Sequence, residues 1–400
     1  MGITKVFGQH DEKTIVQLQD VASRAEQAAL MADGHVGYVM PIGGVAAYRN
    51  KVSVVGVGFD IACGNAAIRT DLKLRDLGSL DELADRIAST ISFGVGRKNR
   101  ADDAPTDHPL FDDEAWDALP SKRRQALHDK ARLQLGTVGS GNHYVDVFAD
   151  ESDTLWVGVH FGSRGFGHGV ASGFLALSQG KQWDERAPEA EVLLDLDSGI
   201  GAGYWVLMNL AGRYAYAGRE WVARKVVELL GGKEMELVHN HHNFAWKEEH
   251  SGDELVVVRK GATPAFPAQK GFVGGSMGDN AVILEGSQSP DGETKRAQRE
   301  ALFSTVHGAG RVMSRTAAAG KRNRKGKVLS PGRVSPEMMK EWVRGKGVIL
   351  RGGGLDESPH VYRRLPDVLE AQGNTVNVLH TLRPLVVVMA GADEFDPYKD

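Results

Sequence analysis

The sequence predicts a mixed α/β (α+β) protein, and three observations carry that expectation. Segments with apolar residues at helical spacing alternate with short, glycine-bounded runs of β-branched residues, so neither type of secondary structure dominates. The 400 residues are 42% hydrophobic, enough for a large core. No Pro- or Ser-rich linker and no internal repeat divides the chain, and residues of chemical interest are scattered from 60 to 315, which favours one interwoven domain over 1–400.

Taken in order, Ile15, Leu18, Val21 and Ala22, with more alanines beyond them, predict an amphipathic helix over 14–32 that ends at Asp33-Gly34. From Gly34 to Gly64 the density of glycine and β-branched residues, as in Gly43-Gly44 and Val52-Ser-Val-Val-Gly-Val-Gly58, predicts short buried strands joined by tight turns. Helical spacing returns over 80–91 and 115–134, the second segment basic through Lys122, Arg123, Arg124, Lys130 and Arg132. Residues 145–148 and 155–159 predict a strand pair. A long core helix follows over 202–230, its Trp205, Leu207, Leu210, Tyr214, Trp221 and Val222 needing no chemical role. Strands are expected at 255–258 and 281–284, helices near 336–344 and 359–371, and a terminal apolar strand over 385–389.

Composition removes several functional classes. The amino terminus carries charges where a signal peptide needs an apolar stretch, and no run of about 18 apolar residues occurs, so a soluble, cytoplasmic protein without membrane association is expected. The single cysteine, Cys63, excludes an intrachain disulfide. A net charge of −4 argues against a general polyanion-binding surface and requires any nucleic-acid contact to be local. One such locality exists. No acidic residue lies between Glu300 and Glu337, whereas Arg311, Arg315, Lys321, Arg322, Arg324, Lys325, Lys327 and Arg333 all do.

That basic stretch begins directly after His307-Gly-Ala-Gly310, which has the character of a phosphate site. Gly308 and Gly310 would let the backbone come close to an anion, and Arg311 and Arg315, spaced i and i+4, would share one helical face beside it. A neutral imidazole at His307 could attack phosphorus and hold the group covalently. Four further segments place polar side chains beside glycine or cluster histidines: Asp60-Ile-Ala-Cys63-Gly64, Gly139-Ser-Gly-Asn142-His143, His160-Phe-Gly-Ser-Arg164-Gly165 and His239-Asn-His-His242-Asn243. Asp60, Cys63, His143, His160 and His242 are too many ligands for one closed tetrahedral site. They suit two metals sharing a ligand, with positions left open for substrate oxygens, and the thiolate could be the bridge.

Taken together these motifs resemble the RtcB family of RNA ligases, the tRNA-splicing ligases. The similarity spans most of the chain in family order: Asp33-Gly-His35 and Pro41-Ile-Gly-Gly44, Gly58-Phe-Asp-Ile-Ala-Cys63-Gly, Gly139-Ser-Gly-Asn-His143, His160-Phe-Gly-Ser-Arg-Gly165, His241-His-Asn243, Arg259-Lys-Gly-Ala262, Gly275-Ser-Met-Gly278, His307 to Arg315 and Thr381-Leu-Arg-Pro384. The resemblance implies an RtcB-like fold of packed antiparallel sheets surrounded by helices. It implies two Mn²⁺ per chain, bridged by Cys63, with Asp60 and His143 completing one site and His160 and His242 the other. Ligand softness alone would have suggested zinc. It implies GTP as cofactor, with His307 as the residue that carries GMP. The nucleotide would be bound by Asn142, His143, Tyr144, Asp146, Asn243, Gly274, Gly275, Ser276 and Met277, together with His307, Gly308, Ala309 and Gly310. Arg164, Arg311 and Arg315 are candidates for RNA phosphates.

The implied partner is RNA ending in a 3′-phosphate or 2′,3′-cyclic phosphate, joined to a 5′-hydroxyl end in tRNA splicing or RNA repair. A monomer is expected, with room for an activating protein partner. Alternatives are a metal-dependent phosphoesterase that opens cyclic phosphates without ligation, and an RNA end-binding relative. Four positions depart from the family pattern: Asp146 where glutamate is usual, Gly274 for proline, Ala281 for a frequent serine, and Met389 where the terminal strand usually presents a lysine to the guanine. All four fall on the nucleotide side.

Overall fold

The amino-terminal helix stops ten residues before the alanines do. In the computed structural model, which describes residues 2–322, 328–392 and 394, Asp11 caps a helix at Glu12–Ala22, and the alanines that follow enter the strand Gln27–His35. Ala28, Ala29, Leu30 and Met31 are all 0% exposed there, between Ile3–Val6 on one side and Ile42–Tyr48 on the other. Burial of both strand faces outweighs alanine's helix preference, which is worth at most about 1 kcal/mol per residue. The expected helix over 14–32 is thus half helix and half strand.

Two sheets organise the structure. The first has the order Ile3–Val6, Gln27–His35, Ile42–Tyr48, Asp253–Lys260, Asn243–His250. The second runs Lys270–Val273, Ala281–Gly286, Val376–Met389, Tyr144–Ala149, Thr154–Phe161, Gly64–Lys73, Glu234–His241, with Ile349–Arg351 added beside Val376–Met389. Neighbours along both paths are antiparallel, except that Ile3–Val6 pairs in parallel; the added Ile349–Arg351 is also parallel to its partner. The second sheet curls into a nearly closed barrel. Side-chain amides stitch its two ends: Phe272 N–H of the first strand donates to Asn240 Oδ1 of the last at 3.0 Å, and Asn65 Nδ2 of the penultimate strand donates to the Phe272 carbonyl at 2.8 Å. Ala29, Met31, Val45, Ala47 and Val257 of the first sheet pack against Val273, Val282 and Leu284 of the second.

The period-two alternation of strands decides what enters the barrel. Ala67, Phe148, Trp156, Val238, Phe272, Ile283 and Leu382, drawn from every strand of the path, fill its interior as one cluster. Val145, Val147, Val157 and Val159 point the other way, onto the helices Leu80–Thr90 and Gly199–Leu230. By the same parity Asn65, Tyr144, Asp146, His160, Asn240 and His242 belong to the inward set at one end. The strand pair expected around 145–148 and 155–159 therefore does more than form; its register selects which polar side chains line the barrel mouth.

Other elements correct the sequence reading. Val54–Val57 is a buried helical turn, because Ser53 Oγ caps the Gly56 N–H at 2.7 Å. The segment 115–134 breaks at Leu119-Pro120 into a 3₁₀ turn at Glu114–Ala118 and a helix at Ser121–Gln134, since proline forces its predecessor out of the helical region. Residues 359–371 divide likewise into a 3₁₀ turn at Pro359–Val361 and a helix at Leu365–Gln372. The helix Arg164–Ser178 was hidden by its glycines; Phe166, Val170 and Phe174 bury its i, i+4, i+8 stripe. The terminal strand begins at Val376, nine residues earlier than expected. Among the described residues no helix is long and apolar enough to cross a membrane.

Candidate functional site

Five segments converge at the barrel mouth. Cys63 closes the turn entered through Asp60, with Cys63 N–H donating to the Asp60 carbonyl at 3.0 Å, and Gly64 begins the next strand. His143 immediately precedes Tyr144–Ala149, and His160 lies near the end of Thr154–Phe161. His242 sits between Glu234–His241 and Asn243–His250, its N–H bound to the Cys63 carbonyl at 2.8 Å. His307 follows the short strand Ser304–Val306.

These side chains meet. Cys63 Sγ lies 3.7 Å from His143 Nε2 and 3.4 Å from His160 Nε2, and His143 Nε2 lies 3.0 Å from Asp60 Oδ2. Two donor groups, Asp60–Cys63–His143 and Cys63–His160–His242, share the thiol, and within each the donor atoms lie within 4.8 Å of one another. Cys63, His143, His160 and His242 are 2–7% exposed, so none is a surface histidine or an exposed thiol. Burial dominates the electrostatics of the cluster. Burial and the neighbouring Asp60 push the Cys63 thiol well above its usual range. Burial, then adjacent histidines, holds His160 and His242 well below theirs, so both imidazoles are neutral and able to ligate. Burial would raise Asp60, but the His143 hydrogen bond and Arg164 outweigh it and hold the carboxyl at about 2.

Partners behind the donors fix their tautomers. His160 Nδ1 donates to Asn65 Oδ1 at 2.6 Å, which turns Nε2 toward Cys63 with its lone pair free. His242 Nδ1 is buried and has no partner among the described residues, an orphan that a cation would satisfy. Its ring stacks on His160 at 5.0 Å and meets His307 edge-on at 4.8 Å. This donor set fits a pair of divalent cations.

The residue that sequence reasoning passed over is Asp33. Completely buried at the end of Gln27–His35, its Oδ2 accepts from His307 Nδ1 at 2.6 Å, from His307 N at 3.0 Å and from Gly308 N at 3.3 Å. The carboxylate accepts the proton on Nδ1 in a hydrogen bond, which orients the ring and leaves His307 Nε2 outside that hydrogen bond. An aspartate two residues before a histidine gives no sequence signal for this; only the approach of a distant strand creates it.

The remaining sequence candidates divide. Arg164 reaches the site: its Nη1 lies 3.3 Å from His143 Nδ1, and its guanidinium crosses Gly139, where a Cβ would stand 2.2 Å from it. Asn142 Nδ2 is 3.4 Å from His160 Nε2. Tyr144 stacks on His160 at 5.4 Å, its hydroxyl pressed on Gly274. Asp146 is 7% exposed, with Oδ1 unpaired, and burial pushes its carboxyl well above the usual range. Asn243 Oδ1 accepts from Gly261 N at 2.8 Å, a backbone-holding task. Ser276 Oγ donates to Asp279 at 2.6 Å within the turn that contains Gly274, Gly275 and Met277. Gly308 stands open, where an added Cβ would meet only the Gly274 carbonyl, at 3.6 Å, whereas Gly310 (φ 74°) presses against the Asp33 carbonyl and not toward an anion; the buried Ala309 joins the core between the sheets.

Arg311 and Arg315 do not share a helical face, because the only helix there is Arg315–Ala319. Both guanidiniums instead bind a buried acidic pair. Arg311 donates to the Asp356 carbonyl at 2.7 Å and to Glu357 at 3.3 Å, and Arg315 contacts Asp356 at 3.0 Å and Glu357. In the basic stretch, Lys321 and Arg322 lie on the strand Gly320–Arg322 and Arg333 is exposed, while Arg324, Lys325 and Lys327 fall outside the described residues.

Comparison with known proteins agrees with this arrangement. A family model described as tRNA-splicing ligase RtcB matches residues 14–390. The RNA-splicing ligase RtcB of Escherichia coli K12 is 31% identical over 384 residues, covering 90% of this chain and 89% of the relative. The tRNA-splicing ligases RtcB of Archaeoglobus fulgidus and Thermococcus kodakarensis are 32% and 30% identical, covering 90% and 94% of this chain and 86% and 91% of the relatives.

Proposed function

The chain belongs to the RtcB family, and from that premise we propose that it is a GTP- and Mn²⁺-dependent RNA ligase. It would join 3′-phosphate or 2′,3′-cyclic phosphate ends to 5′-hydroxyl ends, in tRNA splicing or RNA repair. One observation carries the reading: a histidine whose tautomer is fixed by a buried aspartate stands 4.8 Å, ring to ring, from a donor set with a shared cysteine.

In this reading His307 Nε2 attacks the α-phosphorus of GTP. The N–P bond forms as the bond to pyrophosphate breaks, and Asp33 stabilises the imidazolium that results. GMP then passes to an RNA 3′-phosphate with His307 as leaving group, and a 5′-hydroxyl attacks that activated phosphate and expels GMP. A cyclic phosphate would first be opened to the 3′-phosphate. Asp60, Cys63 and His143 would hold one Mn²⁺ and Cys63, His160 and His242 the other; when bound, such cations act as Lewis acids toward phosphate oxygens. With His143 Nε2 engaged as a ligand, the neutral ring would carry its single proton on Nδ1, which could then no longer accept from Arg164 and would leave that guanidinium free for an RNA phosphate. The Asp33–His307 pair supports ligation over simple phosphoester hydrolysis, which has no need of an oriented nucleophilic histidine.

The experiment is incubation with Mn²⁺ and α-labelled GTP, followed by a search for acid-labile label on the protein. Label on the unaltered chain is the expected result. Opening of a cyclic phosphate by a protein that never takes label would replace ligation with phosphoesterase activity.

A further inference from the structure

Arg219 is 0% exposed in the middle of the helix Gly199–Leu230, and among the described residues it makes no ion pair with a carboxylate. A buried guanidinium without a counter-ion is costly unless its N–H groups find acceptors. Four contacts supply them. Nη1 donates to the carbonyls of Ala62 at 2.8 Å and Phe161 at 2.5 Å, Nη2 to His241 Nδ1 at 2.8 Å, and Nε to His239 Nε2 at 2.9 Å.

The two carbonyls matter because of where they lie. Ala62 immediately precedes Cys63, and Phe161 immediately follows His160. Ala62 is held at φ 59°, a left-handed conformation that a residue with a Cβ keeps only when its surroundings impose it. One planar fork therefore ties the backbone turn that aims the shared thiol to the strand end that aims the imidazole 3.4 Å away. The histidine tract falls into place on the same grounds. His239 and His241, on the opposite strand face from His242, accept from Arg219 and are accordingly neutral; Tyr216 stacks on His241 at 3.8 Å and abuts His239 at 4.0 Å. His242 serves the site, while its two neighbours hold the arginine.

We propose that Arg219, supported by His239, His241 and Tyr216, is a positioning residue for the cation pair: it fixes the Cys63 turn against the end of the His160 strand so that the thiol faces both donor groups at once. This rests on the two-cation reading of the site. Lysine keeps the charge but offers one nitrogen, which cannot reach two carbonyls and two imidazoles together.

The test is titration of the full-length, cation-free protein with Co²⁺ alone, read by equilibrium dialysis and by the thiolate–cobalt absorption band. The unaltered protein should bind two Co²⁺. Arg219→Lys, with an unchanged circular dichroism spectrum, should bind both about 10- to 100-fold more weakly, the usual cost of losing a partner behind a ligand. His239→Ala cuts one anchor at the rim of the helix and should weaken binding in the same direction, and His239→Gln, which restores an acceptor, should recover it. Should Arg219→Lys fail to fold, the His239 pair decides by the same readout. Co²⁺ affinities within twofold of the unaltered protein in the folded variants would overturn the positioning role and leave the two-cation reading standing. Binding of fewer than two Co²⁺ by the unaltered protein would refute that reading, and this inference with it.

Discussion

On the side of the barrel mouth proposed to react, His160 is held by Asn65, His143 by Asp60 and His307 by Asp33, whereas on the side proposed to face the nucleotide Tyr144 Oη and Asp146 Oδ1 are buried with no partner among the described residues. On the first side His242 Nδ1, Asp33 Oδ1 and Arg164 Nε are also buried without a partner among the described residues, but a ring nitrogen of each of His143, His160 and His307 is held. The second side is lined by Met277, Met339, Val343, Val387 and Met389, which offer Asp146 no hydrogen bond. The difference teaches that the protein preorganises the atoms that would react and leaves the groups that would face a base to be completed by a ligand. Of the positions that the sequence reading sets apart from the family pattern, Asp146, Gly274 and Met389 adjoin this unfinished side, whereas Ala281 packs in the barrel interior with Phe148 and Trp156. Two of them touch one ring: a Cβ at Gly274 would stand 2.3 Å from Tyr144 Oη, and Met389 is the register partner of Tyr144.

The contrast can be broken most severely at its preorganised end. His307→Ala should take no label from α-labelled GTP; a folded variant that still becomes guanylylated places the nucleophile elsewhere. Asp33→Asn should follow, with a guanylylation rate lower by about 10²- to 10⁴-fold, because the amide cannot accept from three N–H groups and favours the wrong tautomer of His307. A rate within tenfold of the unaltered protein would mean that the aspartate only braces the backbone.

Effects on the nucleotide side should be smaller. A methionine at 389 offers no ammonium, and a charge-assisted hydrogen bond is worth about 1.5–3 kcal/mol, so Met389→Lys should tighten GTP by roughly 10- to 150-fold and sharpen preference over ATP. If competition between the two nucleotides is unmoved, position 389 does not set base choice. The smallest effect concerns stability. Burial raises the Asp146 carboxyl in the folded chain, so the folded state favours the protonated form. Its contribution is fully present below the ordinary carboxylate range and is lost as pH rises toward the raised folded value. Asp146→Asn should therefore melt higher than the unaltered protein at pH 7, and the two should converge below about pH 4. A constant difference across that window would show that Asp146 is not held protonated.

How much was legible depended on how local the cause was. The strand pair over 145–148 and 155–159, the long helix and the three imidazoles plus thiolate followed from alternation, spacing and residue type. The alanine-rich strand Gln27–His35 and the glycine-rich helix Arg164–Ser178 did not, because local preference there opposes the burial that neighbours impose. The i, i+4 spacing of Arg311 and Arg315 was equally misleading, since no helix spans both residues and two buried carboxylates claim their guanidiniums.

By itself, then, the sequence determined the inventory: which side chains can ligate or attack, that one cysteine must serve any thiolate role, and in what order the motifs run. Tertiary structure alone decided their relations. Barrel closure brings Asp60, Cys63, His143, His160 and His242 together although up to 182 positions separate them. The meeting of two sheets delivers Asp33 to His307 across 274 positions, and a helix between them sends Arg219 to the backbone on either side of the site. Ligand chemistry is a property of single residues, but tautomer, aim and charge compensation are set by what lies within about 3 Å, and that is decided only when distant segments share one core.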